Sequence, residues 1–361
     1  YEDLERDEEA LADYTRAIEI DPEYKWAYNN RALVYEDLER DEEALADYTR
    51  AIEIDPEFIS GYASRAIIYQ KLERYDEALA DYTRSIEIDP SNYTYYARAT
   101  LYKDLERYEE ALADYARAIE IDPEYYWAYS HTGMIYEGLE RYEEALADYT
   151  RAIEIDPEYE IVLSNRARLF YDLERYEEAL ADYTKLIEID SKWIGYYNAR
   201  ALTYKHLERF DEAIFDYTRC IELDPEYKWA YANRGNLYHE LNQYDKALAD
   251  LNRAIEIDPE HELSYSYRAD LFYDLERYEE ALADYTRCIE IDPEYIIYYN
   301  TRANLYKDLE RYEEALADYT RCIELEPEYK WAYNNRALVY EDLERYEEAL
   351  ADYTRAIEID P

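Results

Sequence analysis

The chain has 361 residues, with 40 Lys and Arg against 89 Asp and Glu and a formal charge of −49. A surface this acidic repels nucleic acid and anionic membranes, and it attracts basic segments or divalent cations. No run approaches the ~18 apolar residues that cross a bilayer, so no membrane insertion is expected.

All ten prolines fall on one beat. Pro22, Pro56, Pro90, Pro123, Pro157, Pro225, Pro259, Pro293, Pro327 and Pro361 are spaced by 34 residues or a multiple, apart from a gap of 33 between Pro90 and Pro123. Ser191 stands at the missing beat. A fixed period of this size marks a stacked repeat array, in which each unit touches only its neighbours. One array over 1–361 is expected: a half unit over 1–22, then ten units of 33 or 34 residues over 23–361. The chain starts at Tyr1 in mid-unit and closes on Pro361 with no polar final helix, the pattern of a piece cut from a longer array. No signal segment is visible, and the compartment is not legible.

In the first complete unit, Lys25 to Leu38 reads as a helix. At 100° per residue, Tyr28, Arg31, Ala32, Tyr35 and Leu38 fall on one side of it. Glu39-Arg40 turns the chain. The second helix, Asp41 to Ile54, carries Ala44, Leu45, Tyr48, Ala51 and Ile52 in one stripe, with Glu42, Glu43, Thr49, Arg50 and Glu53 toward water. Acids in its first turn suit the macrodipole. Asp55-Pro56 ends it, because proline lacks an N–H and resists a preceding helical turn. The result is an antiparallel pair, repeated down the chain.

Further along, two joints are irregular. The stretch Ser91 to Arg98 is one residue short, and Ser191 to Gly195 lacks the proline and adds a helix-weakening Gly. Both are expected to alter the pitch of the array. Cys220, Cys288 and Cys322 share a column with Ala51 and Ala254, so they read as core filler. Each lies in a different unit, and neither a disulfide nor a zinc site follows.

Several columns recur together. Ala32, Ala66, Ala99, Gly133, Ala167, Ala201, Gly235, Ala269, Ala303 and Ala337 supply a small residue, followed three places later by an aromatic such as Tyr35, Tyr69, Phe170 or Phe272. With the Ala44, Tyr48, Ala51 and Pro56 columns, these make the whole chain resemble the tetratricopeptide repeat family. The resemblance implies an all-α fold: an α-solenoid of stacked antiparallel helix pairs forming a right-handed superhelix.

Two departures from that family stand out. Glu-Arg occupies the inter-helix turn where Gly or another turn former is usual; a left-handed residue there costs on the order of 1 kcal/mol per unit. Arg31, Arg65, Arg98, Arg166, Arg200, Arg234, Arg268, Arg302 and Arg336 occupy a column that is usually apolar, with Thr132 the exception. Every second helix carries an Asp beside its buried stripe, from Asp13 and Asp47 to Asp318 and Asp352. These Arg and Asp residues are expected to pair, since a buried charge needs a partner.

The second helices are nearly copies, whereas variation gathers on the first helix opposite its core stripe. The Trp26 column holds Trp127, Trp229 and Trp331; the Asn29 column holds Ser130 and Asn334. The Leu33 column holds Met134, Arg168 and Asn236. The Glu36 column holds Tyr171, Lys205, His239, Tyr273 and Lys307. The four columns lie within about 80° of one another, and the resemblance implies that they line the concave surface. Apolar side chains facing water cost solubility and grip partners. All these side chains together, Trp26, Asn29, Leu33 and Glu36 included, are the candidate peptide-binding groove; tolerant drift and contact with another copy are the competing explanations. Relatives that hold acidic peptide C-termini use a Lys/Asn clamp, but the Asn29 column contains no Lys, so that role is not expected.

Catalytic chemistry is not legible. His131, His206, His239 and His261 fall in separate units without ligand spacing, so no metal is expected. The five glycines are scattered singly and make no phosphate loop. Asn92-Tyr93-Thr94 is a glycosylation sequon of the kind chance supplies. No enzyme and no cofactor are expected. The leading reading is a non-catalytic scaffold that binds an extended, basic protein or peptide segment in the groove. The alternative is a structural self-assembling array, a filament or tube in which other copies are the partners.

Overall fold

The computed structural model describes residues 2–360, with side chains from residue 6 onward; Tyr1 and Pro361, the last proline of the beat, lie outside it. The chain divides into two compact units, Tyr1–Leu169 and Phe170–Pro361. Among the described residues every element is a helix: Glu2–Ile20 leads, and ten pairs follow. In each pair the first helix spans 13 residues and the second 14, as in Lys25–Asp37 with Asp41–Ile54, or Lys330–Asp342 with Tyr346–Ile359. Within each unit the paired helices pack on each other and then on the next pair, giving an all-α solenoid.

The turn inside each pair is a Schellman motif. Glu39 N–H donates to Glu36 O at 3.0 Å and Arg40 N–H to Tyr35 O at 2.7 Å. Glu39 sits at φ 56°, and its counterparts, eight Glu and Asn242 among them, repeat the value to within two degrees. Such a motif is usually closed by an apolar contact between its two ends. Here the Arg40 guanidinium lies 4.6 Å from the centroid of the Tyr35 ring, and Arg141, Arg277 and Arg345 repeat the contact at 4.4–4.5 Å. Where Gln243 replaces the arginine, Lys246 takes its place over Tyr238 at 5.1 Å. The Glu-Arg departure is therefore a division of labour. Arg closes the turn, and Glu carries the left-handed strain.

Between pairs, Asp55 does two things. One carboxylate oxygen accepts the Glu57 N–H at 3.0 Å, and the other pairs with Lys25 of the preceding first helix. That lysine holds the Asp55 carboxyl below the usual aspartate range. The shortened joint keeps this plan with different atoms: Asn92 Nδ2 donates to Asp122 at 3.1 Å. One residue is lost from the linker alone, because helix Asn92–Asp104 keeps its 13 residues and Ser91 caps it through Thr94 N–H at 3.2 Å. Gly195, likewise, lies inside an unbroken helix, Ile194–His206.

The Arg–Asp pairs form as expected. Arg31 Nε and Nη2 grip Asp47 at 2.6 and 2.8 Å, while Nη1 donates to Thr15 of the preceding second helix at 3.0 Å. Arg65, Arg98, Arg200, Arg234, Arg302 and Arg336 repeat the bidentate geometry, each with a threonine. Arg268 uses Asn252 instead. Thr49, expected to face water, is thus drawn into the clamp of Arg65. Thr132 has no guanidinium to offer, and burial pushes the Asp148 carboxyl up.

The second helices bury the expected stripe, with Ala44, Tyr48 and Ala51 fully covered. First helices differ from the one-stripe expectation. Besides the Ala32 column, they bury Ala27 and a further column that includes Ile68, Leu101, Leu237, Leu271 and Leu305. Within each unit a first helix such as Ile59–Lys71 therefore faces its own partner on one side and the preceding pair on another. Cys220, Cys288 and Cys322 are buried and free, and burial pushes each thiol up to about 12.

Two outcomes test this account. Replacing Arg302 by Met strands Asp318 and should cost about 3–5 kcal/mol in chemical denaturation, most of it recovered when Asp318→Leu is added. Replacing Glu310 by Gly relieves the left-handed strain and should raise stability by up to ~1 kcal/mol, read from the same denaturation midpoint.

Candidate functional site

The variable columns separate into covered and open ones. Trp26, Trp127, Trp229 and Trp331 are 45, 37, 40 and 55 % exposed, and Leu33, Met134, Arg168 and Tyr273 also face solvent. Glu36, Tyr171, Lys205, Asn236, His239, Lys307 and Asn334 are half-buried. Asn29 and Ser130 correct the expectation: at 5 and 1 % exposure they offer no surface. Adjacent first helices meet along this column. Asn233 Nδ2 donates to Asn198 Oδ1 at 3.3 Å, Asn335 Nδ2 to Asn300 Oδ1 at 3.2 Å, and His131 packs edge-on against Tyr96. The column is a seam between neighbouring helices.

The indoles are held rather than loose. Trp26 meets Phe58 edge-on at 4.9 Å, Trp127 meets Tyr159 at 5.1 Å, and Trp229 meets His261 at 4.4 Å. In each case the clamp comes from the turn that follows, so the stacking of pairs fixes the ring. A lysine one residue earlier lies 5–6 Å from the Trp26, Trp229 and Trp331 rings. Its positive charge is already shared with the aspartate of the next turn.

The Asp37 column was missed by the sequence reading. It is exposed and mostly acidic, with Asp104, Glu240, Asp274, Asp308 and Asp342 in it. Four residues after the Leu33 column, it shares that face of the helix, and this spacing was the available signal. In the second unit it ties successive first helices together: Lys205 to Glu240 at 2.7 Å, His239 Nε2 to Asp274 at 2.8 Å, and the Tyr273 hydroxyl to Asp308 at 3.0 Å. In the first unit a comparable tie uses the Glu36 column instead, Arg168 reaching Glu137 at 2.5 Å.

A buried phenol links this face to the core. The Tyr48 ring is covered, yet its hydroxyl reaches the Glu36 carboxylate at 3.1 Å. Where the Glu36 column holds Gln70, Glu137 or Glu341, that residue accepts from Tyr82, Tyr149 or Tyr353. Where it holds Lys103, Tyr273 or Lys307, the partner comes from the Leu33 column: Thr100 with Tyr115 at 3.1 Å, Asp270 with Tyr285 at 2.5 Å, Asn304 with Tyr319 at 2.6 Å. Two columns that vary independently to the eye are coupled through one acceptor requirement. Beside Tyr217 they hold Leu202 and Lys205, neither an acceptor, and its buried hydroxyl has no partner among the described residues. Lys205→Gln should therefore stabilise the chain by roughly 1 kcal/mol in thermal or chemical denaturation, the lost Glu240 bridge being worth less than the gained hydrogen bond.

Comparisons with known proteins agree with the repeat. The family model described as "Tetratricopeptide repeat" matches residues 26–58, 59–92, 93–125, 126–159, 196–227, 229–261, 263–295, 296–329 and 331–361. Two related repeat models match 1–39 and 162–192. No curated protein matches the chain. Among solved structures, yeast Tom70 is similar over 99 % of this chain and 89 % of its own, at 18 % identity and a TM-score of 0.50. A tetratricopeptide repeat protein from Parabacteroides merdae is similar over 65 % of this chain and 93 % of its own, at 19 % identity and a TM-score of 0.46. The Cut9–Hcn1 assembly of APC/C gives 14 % identity over 99 % of this chain and 91 % of its own, with a TM-score of 0.48. Among the described residues no helix is long and apolar enough to cross a membrane. Matched repeat by repeat over nearly its whole length, and built of the expected helix pairs, the chain belongs to the tetratricopeptide repeat family.

Proposed function

We propose that the chain is a non-catalytic protein-interaction scaffold which holds an extended segment of another protein along its first helices. Its family and repeats support a protein-interaction scaffold in general. The observation that carries the finer reading is the column of exposed tryptophans, each fixed by the following turn wherever that turn supplies an aromatic partner. Large rings already immobilised lose little entropy on binding and present much contact area. Around them lie the acidic Asp37 column and the half-buried polar residues Glu36, Asn236 and His239, so a partner that combines aromatic and basic side chains is complementary.

Each unit carries its own pair of anchors, Trp26 and Trp127 in the first and Trp229 and Trp331 in the second. A synthetic extended peptide alternating Arg and Phe is a suitable probe by calorimetry. Replacing Trp229 or Trp331 with Ala should weaken its binding by about tenfold or more, and added salt should weaken it further by screening. Affinity unchanged in both variants would remove the tryptophan column from the binding face and end this reading.

A further inference from the structure

Asp270 is the only acid in the Leu33 column, whose other members are Leu, Ile, Thr, Met, Arg or Asn. It stands on helix Glu262–Asp274, beside a cavity of about 230 Å³ bounded also by helices Tyr278–Ile291 and Ile296–Asp308. Tyr273, Tyr285, Asn304 and Asp308 line the same space. That volume suits one side chain better than a larger ligand.

The lining has a definite chemistry. Asp270 Oδ1 accepts a hydrogen bond from the Tyr285 hydroxyl and Asp308 Oδ2 accepts one from the Tyr273 hydroxyl, at 2.5 and 3.0 Å. Each carboxylate keeps a second oxygen for another donor. Asn304 Oδ1 is occupied by Tyr319, so its amide N–H groups are what it can offer. Among the described residues no Lys or Arg lines the cavity, whereas the buried Asp284 of the neighbouring helix has Arg268 bound bidentately. Burial pushes the Asp270 carboxyl up, a strain that an incoming cation would relieve.

We propose that this cavity is a subsite for one arginine side chain of a bound segment, the guanidinium bridging Asp270 and Asp308 against the Tyr273 ring. The subsite rests on the reading of the first helices as a binding face. Guanidinium fits better than ammonium because its planar fork donates in several directions at once and stacks on an aromatic ring. Asp270 supplies a carboxylate in a partly desolvated wall, and Asp308 supplies one at the solvent edge.

The test uses the full chain and Nα-acetyl-arginine amide, titrated by calorimetry, with the citrulline analogue as its neutral counterpart. Saturable binding at one site is expected, weakened at least about tenfold by Asp270→Asn and by Asp308→Asn, and absent for citrulline. Glu290→Gln removes the same charge from an exposed second helix and should leave the affinity as it was. Asp308 is exposed, so its variant retains the fold and keeps the test open should Asp270→Asn unfold. Equal affinity across native chain, Asp270→Asn and Asp308→Asn overturns the subsite, as does binding that never saturates. If the arginine amide fails while the Arg-Phe peptide still binds through Trp229, only the subsite falls. If the amide binds and the peptide does not, the subsite stands and the extended-partner reading falls.

Discussion

The phenol that nearly every second helix buries sets a condition that the rest of the pair has to meet. Its ring fills the space left by the small-residue columns around Ala32, Ala44 and Ala51, all fully buried. Gly133 shows how tight that space is, since a methyl group there would come within 2.6 Å of the Tyr149 ring. The hydroxyl at the far end of the ring emerges under the first helix and needs an acceptor. Core packing therefore reaches the outer face through a single hydrogen bond. A first-helix residue such as Glu36, Asp270 or Asn304 serves the core and the surface at once.

This coupling limits how freely the face can vary. An unpaired buried hydroxyl costs on the order of 1–3 kcal/mol, more than most exposed substitutions change. In the pairs described above one of the two columns, that of Glu36 or that of Leu33, accepts and the other is released, while Tyr217 is left to bear that cost. Lys103 and Lys307 occupy released positions, as does Tyr273. Leu251 evades the condition by having no hydroxyl, and Asn236 and His239 beside it are turned to other partners. Diversity of the first helices is thus patterned by the buried ring.

Much of the fold was legible because periodicity carries it. Proline on a fixed beat, small residues at one angle and Arg–Asp columns placed side by side each have a single physical solution, and the pairs, lengths and clamps follow. The misses share a cause. One unit viewed alone gives the first helix one buried side, but stacking buries a second, and that is why Ile68 and Leu237 are covered. The same contact closes over Asn29 and Ser130. Helical angle alone also cannot say that Thr49 will be recruited by the arginine of the next pair, since that partner lies 16 residues on. For the turn, Glu-Arg looked like a defect because the compensating Arg–Tyr contact is made across the motif.

The recurring arginines explain why the negative excess persists. The Arg31 column is locked onto Asp47 and its equivalents, the Arg40 column onto Tyr35 and Glu43, and the Arg50 column onto Glu53. The first is partly buried and structural; the last is exposed, where an i,i+3 pair contributes a few tenths of a kcal/mol. None of these cations is free to neutralise the acids of the first helices. Lys205 and Arg168 do so locally, across neighbouring helices. A chain with −49 formal charges and its arginines so engaged keeps a repulsive field along each unit, and that field is relieved most by cations brought from outside. On the proposed reading, positive charge on a bound segment would then contribute twice, in contacts with Asp270 or Asp308 and in reduced self-repulsion along the unit.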